Sequence, residues 1–575
     1  MAADSCCFGM RMTLDELVNL VSSNKARPGR AGPSVRIDSR LVKQGDIFVA
    51  IAGTVCDGHD FIDQAVANGA GYVVCHTAHA ASHYAAEAPP EGVPGGTCGA
   101  IRDTRYETIL VDDSAAAAGM LAQAAAGSPA AKLTNLAVTG TNGKTTIGFL
   151  VRSVINQTGS KCGLIGTVIC DACSGVEQEA VMTTPDCLAV AQMTADMVAN
   201  GAEYMVIEAS SHALSQNRLA GVEFKAAAFT NLTGDHFDYH KTEEAYLAAK
   251  TKLFTGLAAD AVAVLNRQSP HAELIGEQTK ARILWYAART PPEGVPYGTS
   301  GTSGAIDAGA DITAHIESMN TGGTKFTIEY AGLTAKVKSP LLGLYNVSNC
   351  LAAAGLCLAA GFDLKTVARG LSSPQAIPGR LEQVAWPGDF TVLIDYAHTD
   401  DALKNVLTTL KPLCRGRLIV VFGCGGDRDR TKRPRMARVA EQYGDFIVVT
   451  SDNPRTERPE DIINEIIVGF ESGAAIAAPA LRGTRDEGRG TSERGRETRD
   501  ERRATKVVEP DRKKAIRLVI EAAEKDDIVL IAGKGHETYQ IVGKQKFHFS
   551  DKEVAEDCLM KWIRDRESDT PCSFF

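Results

Sequence analysis

A glycine-bounded loop between a predicted strand and a predicted helix constrains this chain more than any other feature. The apolar run Leu136–Thr139 leads into Gly140-Thr141-Asn142-Gly143, and Lys144-Thr145-Thr146 then opens a helical pattern. Backbone N–H groups of such a loop line a concavity, and the helix N-terminus adds partial positive charge. The lysine can reach outer phosphates, and the first threonine hydroxyl can ligate Mg²⁺. The loop is shorter than the general phosphate-loop pattern, and the alternative is a plain glycine-rich turn, but the Lys-Thr pair favours a nucleoside-triphosphate site.

Composition restricts the class of protein and its compartment. A chain of 575 residues is expected to form three or more domains. The net charge of −9 gives no indication of nucleic-acid binding. No apolar stretch is long enough to span a membrane, and the first twenty residues do not have the pattern of a secretory signal. The fifteen cysteines lack a metal-binding frame and fit a reducing compartment. We therefore expect a cytoplasmic protein. We also expect a monomer, although composition does not bear on the oligomeric state.

Short apolar strands alternate with longer helices along the chain, which predicts an α/β fold. We expect an N-terminal α/β substrate domain over residues 1–132. A central domain over 133–378 should carry a mostly parallel sheet with helices on both faces, and a Rossmann-like α/β domain should cover 379–575. Three segments without periodicity are predicted to be insertions, and the last of them, rich in Gly and Arg, should be disordered; they lie near 79–106, 290–310 and 475–506.

Polar side chains follow two predicted strands of the central block. Glu208 ends one strand, and Asp235-His236 come shortly after another. A carboxylate at the carboxyl end of a parallel strand is well placed to hold a metal beside a phosphate loop. Each residue taken alone could instead be a turn or a cap. Lys250 lies in a helical pattern, where a lysine is usually solvated.

The C-terminal block has four polar loops after predicted strands. They are expected to meet at one edge of the sheet, where loop clusters usually bind ligand; they span residues 395–398, 423–430, 451–457 and 533–537. Arg380 lies at the preceding boundary, where an arginine can hold phosphate charge when domains close.

Together these motifs resemble the Mur ligase family of peptidoglycan synthesis, and the short phosphate loop is also typical of folylpolyglutamate synthases. The most specific segment, Asp452-Asn453-Pro454-Arg455, is similar to that of the family members that add 2,6-diaminopimelate, whereas lysine-adding members differ chiefly at the arginine. Diaminopimelate has a second carboxylate, which the fork of an arginine can bind.

The resemblance implies a ligase that uses ATP and Mg²⁺ to join meso-diaminopimelate to UDP-N-acetylmuramoyl-L-alanyl-D-glutamate through an acyl phosphate. Such an activity would serve cell-wall biogenesis, and through it cell shape and cell division. A lysine-adding ligase and a folylpolyglutamate synthase remain alternatives. A nucleotide-hydrolysing switch is an alternative of another class.

The resemblance also assigns residues to each part of the reaction. Catalytic roles fall to Lys144, Glu208, His236 and Lys250, with Lys250 carried as a carbamate (N6-carboxylysine). The implied metal ligands are Thr145, Glu208 and His236. Nucleotide contacts are assigned to Gly140, Thr141, Asn142, Gly143, Lys144, Thr145, Thr146, Asn346 and Arg380. Contacts to the UDP-linked dipeptide are assigned to Ile37, Ser39, Thr54, Val55, Cys56, Thr183, Thr184, Ser210, Gln216 and Arg218. The diaminopimelate contacts are Arg428, Asp452, Asn453, Pro454, Arg455, Gly533 and Glu537.

Overall fold

A computed structural model describes most of the chain. The described residues are 13–25, 33–53, 56–78, 106–234, 237–289, 309–373, 377–471, 476–477 and 504–568. Most of the three predicted insertions lies outside these ranges, and so do four residues of predicted site segments: Thr54, Val55, Asp235 and His236. The chain divides into two compact units, Met1–Tyr286 with Ala352–Gly370, and Ala287–Leu351 with Leu371–Phe575. The three-domain division stays a prediction.

The first unit begins with a small parallel sheet. Helix α1 (Leu14–Lys25) starts with a capping box, because Thr13 N donates to Glu16 Oε2 at 2.7 Å and Glu16 N donates to Thr13 Oγ1 at 3.2 Å. The strands pair in chain order and pack against three helices. These elements are β1 (Val35–Arg36), β2 (Ile47–Val49), α2 (Ile62–Ala67), β3 (Tyr72–His76), β4 (Glu107–Val111) and α3 (Ser114–Ala126).

The larger sheet of the first unit carries the glycine-rich loop. Its strands are β5 (Thr134–Thr139), β6 (Cys162–Ile165), β7 (Ile169–Asp171), β8 (Gln178–Glu179), β9 (Tyr204–Glu208), β10 (Ala226–Phe229), β11 (Val262–Asn266) and β12 (Arg282–Arg289). Within this unit the order is β12-β11-β10-β5-β9-β6-β7-β8. The strands from β12 to β6 are parallel, and β7 is antiparallel to both of its neighbours, β6 and β8. The helices between them are α4 (Lys144–Asn156), α5 (Cys187–Ala199), α6 (Ser211–Ser215), α7 (Phe237–His240), α8 (Glu243–Thr255) and α9 (Ala272–Gln278).

The position of β5 between β9 and β10 decides where the candidate site of this unit forms. Because parallel strands end at the same edge, the segments after all three strands meet there. This brings the loop after Thr139, the carboxylate of Glu208 and the residues after Phe229 to one place.

The second unit contains an antiparallel meander that the sequence analysis did not anticipate. Its strands are β13 (Ile312–Asn320), β14 (Gly323–Tyr330) and β15 (Leu333–Ser339). Helices α10 (Leu344–Ala359) and α11 (Leu364–Leu371) follow in the chain, and their residues from Ala352 to Gly370 belong to the first unit.

A mainly parallel sheet forms the rest of the second unit, in the order β16-β17-β22-β18-β19-β21-β20 with β16 antiparallel. Its elements are β16 (Glu382–Gln383), β17 (Thr391–Asp395), α12 (Asp400–Leu410), β18 (Leu418–Phe422), α13 (Lys432–Tyr443), β19 (Phe446–Val449), α14 (Pro459–Ile467), β20 (Ile476–Ala477), β21 (Thr505–Val508), α15 (Arg512–Ala522) and β22 (Ile528–Ala532). The hairpin β23 (Tyr539–Val542) and β24 (Gln545–His548) and the helix α16 (Asp551–Ser568) complete it.

Alternate residues of β22 enter different cores. Leu530 packs in a cluster with α12, α13 and α14, whereas Val529 and Ile531 pack in a cluster with α15 and α16. Both faces of this sheet are therefore covered by helices, as expected for buried parallel strands. The α/β fold predicted from the sequence is confirmed. Nowhere in the described ranges does a helix combine the length and apolar character needed to cross a membrane.

Candidate functional site

The glycine-rich loop is held against the segment after β10. Thr141 N donates to Asn231 O at 2.9 Å, and Asn142 N donates to Asn231 Oδ1 at 2.9 Å. Gly140 has a φ of +146°, and a Cβ there would collide with the hydroxyl of Thr230. Only glycine fits this close approach.

Two lysines converge on one carbonyl of the loop. Lys144 Nζ donates to the carbonyl oxygens of Gly140 and Thr141 at 2.9 Å each, and Lys250 Nζ donates to Gly140 O at 2.8 Å. Lys250 is only 1% exposed, and its Nζ lies 4.4 Å from the centroid of the Tyr246 ring. Two ammonium groups at a concave loop make a site suited to an anion. The solvated position usual for a helix lysine does not apply to Lys250.

Glu208 is fully buried at the end of β9, and donors reach both of its oxygens. Thr145 Oγ1 donates to Oε2 at 3.0 Å, Thr167 Oγ1 donates to Oε2 at 2.8 Å, and Thr167 N donates to Oε1 at 2.9 Å. The structure thus joins Thr145 and Glu208, which the sequence analysis assigned to the same metal site. Thr167 was missed, although a polar residue just after β6 is the same kind of strand-end signal as Glu208.

Five of the residues assigned to the UDP-linked dipeptide lie beside Glu208. Thr184 Oγ1 donates to Glu208 O at 2.6 Å and accepts from Ser210 N at 3.0 Å. Arg218 Nη1 donates to Thr184 O at 2.8 Å, and its Nη2 donates to Gln216 Oε1 at 2.7 Å. Thr183 Oγ1 lies 3.1 Å from Thr167 Oγ1 and is the donor of that pair, because the single hydroxyl hydrogen of Thr167 is used in its bond to Glu208. One hydrogen-bonded network therefore links these side chains to the phosphate-loop region.

Three other residues assigned to the UDP-linked dipeptide lie in the segments that follow strands β1 and β2 of the small N-terminal sheet. Ser39 is buried and its Oγ donates to Gln64 Oε1 at 2.7 Å, while Ile37 packs against the core of α1 and α3. Cys56 is exposed, and its carbonyl accepts from Gly53 N at 3.1 Å.

A second cluster forms in the second unit, where the segments after β19 and β22 meet. Asn453 Oδ1 accepts from Lys534 Nζ at 3.1 Å and from Ile541 N at 2.9 Å, and Asn453 Nδ2 donates to Glu537 Oε2 at 2.8 Å. Lys534 Nζ also lies 3.2 Å from Glu537 Oε2 and 3.9 Å from Asp452 Oδ1. Lys534 is fully buried, and the sequence analysis gave it no role.

The pKa values of the two carboxyl groups in this cluster, Asp452 and Glu537, are shifted in opposite directions. Burial would raise the pKa of Asp452, but the charges of Lys534 and Arg512 outweigh it and lower that pKa below its ordinary value. Burial raises the pKa of Glu537 above its ordinary value, and Lys534 opposes that rise without cancelling it. Perturbed carboxyl groups of this kind are concentrated at functional sites.

The arginines assigned to diaminopimelate lie on neighbouring loops of the same unit. Arg455 Nη1 donates to Gly426 O at 2.8 Å, and Arg428, two residues beyond that glycine, donates from Nη1 to Asp427 O at 3.2 Å. Gly533 N donates to Asp395 O at 3.0 Å, and Gly533 has a φ of +114°. A side chain at Gly533 would crowd the carboxylate of Asp452. The structure thus assembles Asp452–Arg455, Gly533 and Glu537.

Arg380 and Asn346, assigned to the nucleotide, also belong to the second unit. The guanidinium carbon of Arg380 lies 4.7 Å from the centroid of the Tyr396 ring. Asn346 is buried; its Nδ2 donates to Leu342 O at 2.7 Å, and its Oδ1 accepts from Asn349 Nδ2 at 3.0 Å. Their roles toward a nucleotide stay predictions.

Comparison with known proteins gives matches along most of the chain. Residues 34–126 match the Mur ligase family catalytic domain, residues 138–357 the Mur ligase middle domain, and residues 379–535 the Mur ligase glutamate ligase domain. The chain is 39% identical over 528 residues to a UDP-N-acetylmuramoyl-L-alanyl-D-glutamate–2,6-diaminopimelate ligase from Gloeobacter violaceus, covering 91% of this chain and 93% of that protein. A protein of the same name from Geobacillus thermodenitrificans is 38% identical over 531 residues, with 91% and 94% covered.

A solved structure carries the same name. It superposes with a TM-score of 0.59 at 30% identity and covers 92% of this chain and 95% of its own. Identity at this level over almost the whole of each relative means that the chain belongs to the Mur ligase family.

Proposed function

We propose that this chain is an ATP-dependent ligase that adds meso-2,6-diaminopimelate to the D-glutamate side-chain carboxylate of UDP-N-acetylmuramoyl-L-alanyl-D-glutamate. The observation that carries the proposal is the cluster in which Asn453 donates to Glu537 and both Asn453 and Arg455 bond to the backbone of Ile541, with Asp452 on the same loop. We call this cluster the amino-acid pocket. It offers carboxylates for an ammonium group and an arginine for a carboxylate. Relatives named for this reaction are similar to the chain over more than nine-tenths of its length.

In the first step the γ-phosphoryl group of ATP passes to the D-glutamate carboxylate. The bond from the γ-phosphorus to the bridging oxygen breaks, and a bond from that phosphorus to a carboxylate oxygen forms. The products are ADP and an acyl phosphate. Both partners are anionic, so positive charge must offset their repulsion. Lys144, held over the loop, and the backbone N–H groups at the start of α4 are the groups of this chain suited to that task.

The residues around Glu208 fit a magnesium ion. The described residues include no cluster of three or more His, Cys, Asp or Glu side chains placed to hold a metal. Mg²⁺ does not need one, because it usually takes one or two protein carboxylates together with phosphate oxygens and water. Glu208 and the hydroxyl of Thr145 would hold it, with His236 as a further candidate, and the ion would supply neutralising charge at the phosphates.

Lys250 is proposed to carry a carbamate. The Lys250 ammonium would first lose a proton, and the neutral amine nitrogen would then add to the carbon of CO₂ with loss of a second proton. The side chain would thereby change from a cation to an anion in the phosphate-loop region. Its burial supports the proposal, because a buried lysine is a more reactive amine than a solvated one.

In the second step the amine of diaminopimelate attacks the acyl phosphate carbon, the amide forms, and inorganic phosphate leaves. No covalent enzyme intermediate is required, so the residues act by positioning and charge stabilisation. Arg455 and Arg428 are proposed to bind the distant carboxylate of diaminopimelate, and Asp452 and Glu537 its ammonium group. Since a sugar nucleotide and ATP are the substrates, we infer that the enzyme works in the cytoplasm, and we expect a monomer.

A ligation assay with an amino-acid panel tests the proposal. Purified protein is given ATP and Mg²⁺ with either the UDP-linked dipeptide or a folate as the acceptor. The amino acid is meso-diaminopimelate, L-lysine or L-glutamate, and phosphate release and product mass are measured. We expect product only with diaminopimelate. Product with lysine would indicate the lysine-adding relative, and glutamylation of a folate acceptor would indicate a folylpolyglutamate synthase. Phosphate release that needs no amino acid would indicate a nucleotide-hydrolysing switch.

A further inference from the structure

The buried ammonium of Lys534 contacts three residues of the proposed diaminopimelate pocket. Its Nζ lies 3.1 Å from Asn453 Oδ1, 3.2 Å from Glu537 Oε2 and 3.9 Å from Asp452 Oδ1. Lys534 itself has no exposed surface. Lys534 therefore cannot contact a ligand in the pocket, and any effect of this residue on binding must act through its neighbours.

Lys534 fixes the orientation of the Asn453 amide. Asn453 Oδ1 accepts from two donors, Lys534 Nζ and the backbone N–H of Ile541 at 2.9 Å. The opposite orientation would turn the amide NH₂ towards both of these donors, which is unfavourable. Asn453 Nδ2 is therefore directed to Glu537 Oε2, with a hydrogen bond of 2.8 Å.

The same arrangement distinguishes the two oxygens of Glu537. Oε2 accepts from both Asn453 Nδ2 and Lys534 Nζ. Within the described ranges, no hydrogen bond reaches Oε1. The side chain of Glu537 retains 15% of its surface, so the carboxylate is not sealed from the pocket.

Charge balance supports the same conclusion. Arg512 is paired with Asp551 through two hydrogen bonds of 2.7 Å, and both side chains are fully buried. Among the residues in contact, this leaves one ammonium, Lys534, against two carboxylates, Asp452 and Glu537. With both carboxylates ionised, such a cluster carries one uncompensated negative charge, which one ligand ammonium would neutralise.

We propose that Lys534 is a positioning residue of the amino-acid pocket, which holds the Asn453 amide and Glu537 Oε2 so that Glu537 Oε1 is left to accept the ammonium of an amino-acid substrate. The inference rests on the proposed function and adds to it a residue that selects for a cationic group. The charge of Lys534 also opposes the rise that burial causes in the pKa of Glu537. The other groups that act on Glu537 are Asp452 after β19, Arg512 on α15 and Tyr396 after β17.

The test compares two substitutions at Lys534 in the full chain. Lys534→Met removes the charge and the hydrogen bonds but keeps most of the volume, and Lys534→Gln keeps a donor without the charge. The matched control is Lys546→Met, because both lysines face the Tyr539 ring, with Nζ 5.7 Å from its centroid for Lys534 and 3.6 Å for Lys546. Lys546 is exposed, and among the described residues it makes no hydrogen bond to Asn453 or Glu537. Steady-state ligation is measured with diaminopimelate, ATP and the UDP-linked dipeptide varied in turn, across a range of pH.

We expect Lys534→Met to raise the KM for diaminopimelate by about tenfold or more, with the KM for ATP unchanged. The acidic limb of kcat/KM for diaminopimelate should move up by about one pH unit in both Lys534 variants, because Glu537 loses its nearest positive charge. Lys534→Gln should show the smaller KM effect, and it provides the test if Lys534→Met fails to fold. Lys546→Met should match the wild type.

Each outcome decides the proposal. If both folded variants keep the wild-type KM and pH profile, the positioning role is wrong while the proposed function stands. A uniform loss of kcat with all three substrates and no shift of the pH limb would mean that Lys534 only supports folding. If the wild-type protein itself does not ligate diaminopimelate, the proposed function fails and this inference fails with it.

Discussion

At the scale of single residues, Thr167 has the clearest untested role. Its hydroxyl and its N–H bind the two oxygens of the buried Glu208 carboxylate. Thr167→Val keeps the N–H contact and removes the 2.8 Å bond to Oε2. Because residues that orient a metal ligand usually affect metal affinity, we expect the Mg²⁺ concentration for half-maximal ligation to rise by about tenfold. Thr167→Ser should restore the wild-type value, and an unchanged Mg²⁺ dependence in the valine variant would contradict the role.

Arg455 provides a residue-scale test of amino-acid selection. Its guanidinium donates to Gly426 O at 2.8 Å, and its backbone is held at a φ of +51° by bonds to the hairpin, including Arg455 N to Ile541 O at 3.1 Å. Arg455→Lys keeps the charge but loses the two-pronged donor. We expect the KM for diaminopimelate to rise by about tenfold or more while the KM for ATP stays unchanged. Unchanged saturation by diaminopimelate would remove Arg455 from the pocket.

At the scale of elements, an ion pair between Arg433 and Glu457 connects the segments that follow β18 and β19. Arg433 on α13 is fully buried and donates to Glu457 Oε1 and Oε2 at 2.8 Å and 3.0 Å. Glu457 Oε1 also accepts from Asp427 N at 2.6 Å. The pair therefore sets the separation between the loop of Arg428 and the loop of Arg455.

Removing the Glu457 charge should destabilise this unit. Glu457→Gln leaves the buried guanidinium of Arg433 with one charged partner, Glu465, at 2.7 Å. We expect the free energy of unfolding to fall by about 2 kcal/mol, measured by urea denaturation. Glu465→Gln is the control, because it keeps the pair between Arg433 and Glu457 and should cost less. Equal losses in the two variants would argue against a special role of Glu457.

The same pair predicts a pH dependence of stability. The hydrogen bonds from Arg433 are the largest cause that lowers the pKa of Glu457 from its ordinary 4.5 to about 2. A carboxyl with a lowered folded-state pKa stabilises the fold above its ordinary pKa, and this contribution is lost as the pH falls towards the folded value. The unfolding free energy of the wild type should therefore decrease from about pH 5 to about pH 3 more steeply than that of Glu457→Gln. Parallel slopes in the two proteins would contradict this.

The antiparallel strands β13–β15 show what was overlooked at this scale. They are joined by two-residue turns at Thr321-Gly322 and Ala331-Gly332, and Ala331 and Gly332 have φ values of +50° and +75°. Short turns of this kind are typical of hairpins. Both glycine-containing turns are visible in the sequence. The alternation of strands and helices on either side nevertheless led to the prediction of a mostly parallel sheet for the whole central block.

At the scale of the whole molecule, the two units have separate candidate sites, the phosphate loop in one and the amino-acid pocket in the other. A ligand stabilises the fold that binds it, so thermal unfolding reports on each site. We expect ATP with Mg²⁺ to raise the Tm of the wild type, and Lys144→Ala to lose that shift while keeping its own Tm without ligand. Turnover should fall by about a hundredfold or more in this variant. The Arg455→Lys protein is the control and should keep the full nucleotide shift, and a retained shift in Lys144→Ala would contradict the phosphate-loop assignment.

Much of the candidate site could be predicted because its residues follow strands. Parallel strands end at one edge, so Glu208, Asn453 and Glu537 could be assigned to strand-end clusters from their positions alone. The contacts that complete these clusters could not be predicted. Thr167 and Lys534 also follow strands, so the sequence places them near the same edges. Which side chains they contact depends on the order of neighbouring strands, and that order is not readable along the chain.

The sequence by itself determined the α/β class, the phosphate loop and the diaminopimelate motif, because each depends on residues close together in the chain. Only the tertiary structure decided that Lys250 is buried against Gly140 and that Lys534 lies between Asn453 and Glu537. Contacts of this kind join residues as many as 110 positions apart. They form only when the sheet order and the packing of helices bring distant segments together, and local patterns carry no information about that order.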